Sequence, residues 1–156
     1  MGAIVWDRGY LTTRKDTLSL TFRRALIIRE GLLGPRHHHV ASSLNHLANI
    51  YVQQGRLAEA ESLYQQAESI WEQALGSHHP MIASSLHNLA IVYEMHGRLS
   101  DVERLYQRAS HIWEQVLGTD HYRLAYSLSD KAKIYLQQGK DIEAESLYKQ
   151  VLHLWE

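Results

Sequence analysis

The sequence contains no cysteine, which excludes disulfides, thiol nucleophiles and thiolate metal sites. It has only two prolines, Pro35 and Pro80, so little interrupts helix formation. An excess of either charge is also missing. Lys and Arg number 16 against 17 Asp and Glu, and the formal net charge is −1. No global field draws nucleic acid or an anionic membrane. No apolar run approaches the roughly 18 residues that span a bilayer. The first residues, MGAIVWDRGYL, lack the basic segment of a signal peptide. Trp6 stands where myristoylation needs Ser or Thr. These absences fit a cytoplasmic protein with no nucleic-acid and no membrane partner. What remains is an ordinary soluble composition, 45% hydrophobic and 21% charged, on 156 residues, a length that suits one domain.

The chain repeats itself. Gly34, Gly76 and Gly118 are 42 residues apart, as are Gly55, Gly97 and Gly139. The same step links Tyr51, Tyr93 and Tyr135, then Tyr64, Tyr106 and Tyr148, then Trp71, Trp113 and Trp155. Residues 34–75 and 76–117 share 22 identities in 42 positions. Each unit reads as two helices. In the first, Val40, Leu44, Leu47, Ala48 and Tyr51 follow the spacing of an apolar helix face. Gly55 then supplies the permissive backbone of a helix end. In the second, Leu57, Ala60, Leu63, Tyr64, Ala67, Ile70 and Trp71 form the stripe, and Gly76 ends it. Large faces small across the pair, Tyr51 against Ala60 and Tyr64 near Ala48, which lets helices pack closely. The expected organisation is one all-α array of about seven helices. It comprises a lead-in at 1–13, a second-type helix at 14–33, full repeats at 34–75 and 76–117, and an atypical terminal repeat at 118–156.

The residues Leu44, Leu47, Ala48 and Tyr51, with Ala60, Tyr64 and Ala67, resemble the signature of the tetratricopeptide repeat (TPR) family. At 42 residues the unit is similar to the kinesin-light-chain subclass. The stretch LGSHHPMIASSLHNLAIVYEMHGRLSDVERLY, Leu75 to Tyr106, follows that pattern closely. The resemblance implies a right-handed superhelical solenoid of helix-turn-helix units, non-enzymatic, with a concave face lined by the first helix of each repeat. It also accounts for the triplet His37, His38 and His39. His37, His79 and His121 share one register just before the first helix, where the family has His-Pro, so the triplet is a helix-start segment and not a tag; metal chelation by its imidazoles, adventitious rather than native, is the alternative.

On the concave face implied by the resemblance, the candidate peptide-binding residues are Ser42, Asn45, His46 and Asn49 in the first unit. Ser84, His87, Asn88 and Glu94 follow in the second, and Tyr126, Ser129, Asp130 and Lys133 in the third. Amides can both donate to and accept from a peptide backbone. Glu94 and Asp130 disfavour an acidic tail, and Lys133 is the single cation of the set, so a neutral to mildly basic peptide is expected. Two other readings stand beside this one. The chain is a ligand-sensing array of a larger regulatory protein, or it is a structural module that forms a homodimer through its end faces.

No phosphate loop, nucleophile elbow, HExxH or dinucleotide fingerprint occurs, so no catalytic residue, cofactor or resident metal is expected. His46 and His87 are the groove imidazoles placed to meet across units, as a metal pair or pH sensor. The recurring tryptophans read as packing residues. Two departures mark the third unit: Lys131 stands where Leu47 and Leu89 pack, and Asp141 where Leu57 and Leu99 pack.

Overall fold

The computed structural model describes residues 14–117 and 122–155. Among these lie seven helices: α1 (Arg14–Leu33), α2 (His38–Gln53), α3 (Leu57–Leu75), α4 (Pro80–Met95), α5 (Leu99–Leu117), α6 (Tyr122–Gln137) and α7 (Asp141–His153). The expected lead-in at 1–13, Gly118 and His121 lie outside the described residues.

Local signals start α2 and α4 and end the first helix of each hairpin. His37 precedes α2 in extended backbone, and its ring Nδ1 accepts the His39 N–H at 3.2 Å. His79 does the same for α4, accepting from Met81 N–H at 3.2 Å, with Pro80 in the first helical position. Both histidines thus satisfy one of the orphan donors of a helix N-terminus. At the turns inside each hairpin, Gly55, Gly97 and Gly139 adopt φ of 74, 71 and 72°. The next residue's N–H reaches back across the glycine, Arg56 to Tyr51 O, Arg98 to Tyr93 O and Lys140 to Tyr135 O. A side chain at the glycine would strain this closure.

The cation after each glycine then lies over the tyrosine before it. The Arg56 and Arg98 guanidinium carbons stand 3.9 and 3.8 Å from the Tyr51 and Tyr93 ring centres, and the Lys140 amine 4.9 Å from that of Tyr135. The same cations reach the preceding repeat, Arg98 to Glu61 at 3.1 Å and Lys140 to Glu103 at 3.0 Å. These pairs are half-exposed, so each contributes at most about 1 kcal/mol.

Packing runs between consecutive helices, with a small further contact of α2 with α4. Two clusters fill the interior. One joins Val40, Leu44, Trp71, Ile82, Leu86, Ile112 and Trp113; the other joins Leu47, Tyr51, Tyr64, Leu89, Tyr93, Tyr106 and Ile134. The expected size alternation is visible here, since Ala48, Ala60, Ala67, Ala90 and Ala109 are all sealed from solvent. Trp71 and Trp113 are core residues, and Trp71 Nε1 donates to His38 O at 3.2 Å. Trp155, in the same register, is 59% exposed and packs edge-on against the Tyr126 ring. In the third unit the Lys131 amine rests 5.3 Å from the Tyr135 ring centre, and Asp141 is exposed at the start of α7. Neither charge is buried without a partner.

Candidate functional site

Two cavities open along the first helices of the repeats. The first, of 290 Å³, lies between α4 and α6. Ser84, His87 and Asn88 form one wall, Tyr122, Arg123 and Tyr126 the other, and Trp113 of α5 also lines it. The second, of 310 Å³, lies between α2 and α4, lined by Asn49, Val52 and Gln53 on one side and by Asn88 and Ile91 on the other. Asn88 borders both. The two cavities thus lie side by side along α4, and together they are called the trough.

The helix face explains the lining. Ser84, His87, Asn88 and Ile91 recur at three- and four-residue steps, so they share one side of α4. Across the trough, Arg123 Nη1 donates to Ser84 Oγ at 3.1 Å, and the guanidinium carbon stands 5.0 Å from the Trp113 ring centre. His87 Nε2 lies 3.4 Å from Asp130, which also accepts from Lys133 Nζ at 2.8 Å. Glu94 accepts from Gln137 at 3.3 Å. Burial pushes the His87 imidazole below its ordinary value of 6.5; the Asp130 carboxylate pulls it up, and the Lys133 amine lowers it again. His87 is thus neutral near pH 7 and presents one donor and one acceptor. Asn49 accepts from the buried Tyr64 hydroxyl, which leaves its amide N–H groups to the trough.

The structure brings Ser84, His87, Asn88 and Tyr126 into one cavity and joins Asn49 to Asn88 in the other. Asp130, Lys133 and Glu94 belong to the same α4–α6 seam. Ser129 is half-buried on α6 and lines neither cavity. Ser42 and His46 also lie outside both: the Ser42 hydroxyl donates to His38 O, and the Ser42 carbonyl holds His46 Nδ1 at 2.7 Å. The His46 ring stacks on Phe22 of α1, whereas His87 faces α6, so the two imidazoles turn to different neighbours. Among the described residues no three His, Asp or Glu side chains form a metal-binding group.

Asn45 corrects the sequence-based expectation. It is only 9% exposed, and its Oδ1 is buried with no hydrogen-bond partner. The register places it with His87 and Ser129, but its depth is that of a core residue. A desolvated carbonyl without a donor costs free energy. Asn45→Leu, similar in volume, is therefore expected to raise stability by about 1 kcal/mol in urea titration.

Sequence reasoning missed Trp113, Tyr122 and Arg123 as trough residues. Trp113 does two things at once, filling the core and bordering the cavity. Arg123 stands one turn before Tyr126 on the same face of α6, a spacing that could have found it.

The helical hairpins, their 42-residue step and the trough agree with a family model described as tetratricopeptide repeat, which matches residues 21–72, 40–110 and 101–156. The chain belongs to the tetratricopeptide repeat family. Repeats of this family imply a protein–protein interaction scaffold, and arrays of this fold are non-enzymatic. Nephrocystin-3 of Homo sapiens and of Mus musculus are each 42% identical to this chain over 67 residues. That stretch is 43% of this chain and 5% of either relative, so the chain spans a small fraction of the curated proteins it matches. Among solved structures, a kinesin light chain-like protein of Podosopora anserina with nearly identical TPR-like repeats superposes with a TM-score of 0.73 at 26% identity, over 90% of this chain and 67% of that one. BtubC from P. vanneervenii superposes with a TM-score of 0.83 at 19% identity, over 90% of this chain and 55% of its own, and shows the shared fold. No helix among the described residues is long and apolar enough to cross a membrane.

Proposed function

We propose that the array is a non-catalytic cytoplasmic scaffold that binds an extended peptide segment of another protein in the trough between α2, α4 and α6. The observation that carries this reading is the position of Asn88, which borders both cavities and so links them into one track. Asn49 and Asn88 hold the peptide backbone through their amides. Ser84, His87 and Tyr126 select side chains, with Trp113 as an apolar wall. Charges along the α4–α6 seam are equal in number: Lys133 is paired with Asp130, Arg123 lines the first cavity, and Glu94 accepts from Gln137. The added Arg123 removes the basis for a mildly basic segment, and a neutral one is favoured.

A peptide-array screen followed by fluorescence anisotropy tests this. Asn88→Ala combined with Tyr126→Ala is expected to weaken the best peptide by at least about tenfold, that is 1.4 kcal/mol. Neither residue is in the core, so the melting temperature should move by no more than a few degrees. Unchanged affinity would move the contact elsewhere on the array.

A second reading is favoured by nephrocystin-3, in which the matching stretch is 5% of the protein: the array senses a ligand for a larger regulatory protein. Pairing of two copies through the end faces is the third, suggested by exposed Ile27, Ile28 and Leu32 on α1 and by Leu152 and Trp155 at the other end. Concentration-independent monomer mass in light scattering would remove it.

A further inference from the structure

A third cavity, of 230 Å³, shares no residue with the trough. It lies between α5 and α7, floored by Leu124 and Leu128 of α6, with Leu154 closing one side. Its polar residues are Ser110 and Glu114 from α5 and Gln150 and His153 from the last helix.

One repeat earlier, the chain itself shows what fills this place. Subtracting 42 from these positions gives Glu68, Glu72, Arg108 and His111, over Ile82, Leu86 and Ile112. There the Arg108 guanidinium bridges from α5 to both Glu68 and Glu72 of α3. The two carboxylates hold the guanidinium as a fork. In the next interval the cation is gone, because Gln150 occupies the Arg108 register. Ser110 replaces Glu68 and spends its hydroxyl on Ser127 and Tyr106 O. Glu114 keeps the second carboxylate. The apolar floor is retained. The result is the Arg108 site with one carboxylate, one amide carbonyl, and space where a guanidinium would stand.

We propose that this cavity is a docking site for an arginine side chain presented by a partner protein. The guanidinium would donate to Glu114 and to the Gln150 carbonyl, and its three-carbon stem would lie on Leu124 and Leu128, which line the cavity. Arginine suits the place better than lysine, because a planar, weakly hydrated fork can bridge α5 to α7 as it bridges α3 to α5. This site is independent of the trough and stands whether or not the trough takes a peptide.

The test is a backbone-amide NMR titration of the whole chain with N-acetyl-arginine methylamide, with the neutral N-acetyl-citrulline methylamide as control. Saturable shifts confined to the surroundings of Glu114, Leu128, Gln150 and His153 are expected with arginine and none with citrulline. Glu114→Gln should weaken binding by about fivefold or more, since a charge-assisted pair becomes a neutral one. Gln150→Arg, which refills the site from within, should abolish the shifts while the melting temperature rises or holds; that thermal readout shows the variant is folded. Shifts absent, equal with citrulline, or unaffected by Glu114→Gln would overturn the site. Free arginine carries its own carboxylate toward Glu114 and should bind more weakly than the blocked form. Tighter binding of free arginine would overturn the assignment to a partner's side chain.

Discussion

Trp71→Ala is expected to destabilise the array by about 3–5 kcal/mol, whereas Trp155→Ala, at the same register, should cost about 0.5 kcal/mol or less. Trp71 is 1% exposed, sits in the cluster with Val40, Ile82 and Ile112, and donates to His38 O. Its removal leaves a large void between three helices and takes one of two side-chain donors from the His38 carbonyl, which keeps the Ser42 hydroxyl. Trp155 is mostly in water and touches Tyr126 by one ring edge. For a domain of this size the Trp71 loss corresponds to roughly 6–20 °C in melting temperature. Urea titration of both variants measures the contrast. Equal effects would mean that the two tryptophans sit in equivalent surroundings, against the structure.

Ala48→Leu should be the next most damaging change, costing about 1–3 kcal/mol. Ala48 is wholly buried beside Tyr64, at a crossing where the small residue sets the helix separation. Three added carbons have no void to enter. Ala60→Val offers the control. Val102 already occupies the Ala60 register in the next repeat, fully buried, so the hairpin tolerates that increment. Its cost should stay below about 1.5 kcal/mol. A Leu at position 48 that leaves the urea midpoint unchanged would contradict the tight α2–α3 contact.

The helices were legible because their punctuation repeats. Glycines at two fixed registers mark the ends of both helix types, and the histidine register marks the start of α2 and α4, where the structure finds ring nitrogens capping the backbone. Register could also assign Trp71 to packing. It could not assign depth. Asn45, His87 and Ser129 share one position of the repeat, yet Asn45 is buried with an orphan carbonyl while His87 lines a cavity. Periodicity averages over units that have different neighbours. The same averaging hid Arg123, whose register holds His39 and Met81 in the other repeats; only its i, i+3 spacing to Tyr126 marked it. The α5–α7 cavity was invisible for the opposite reason. It is legible only as a difference between two intervals, Arg108 against Gln150, once the side chains are known to face the same space.

The succession of contacts from each helix to the next has a mechanical consequence. Among the described residues no strand or long loop staples one end of the array to the other, and helices two places apart scarcely touch. Drawn out from its termini by a tugging partner, such a coil stretches elastically and then surrenders one hairpin at a time. It would act as a compliant tether, shedding load in steps while the remaining units keep their shape.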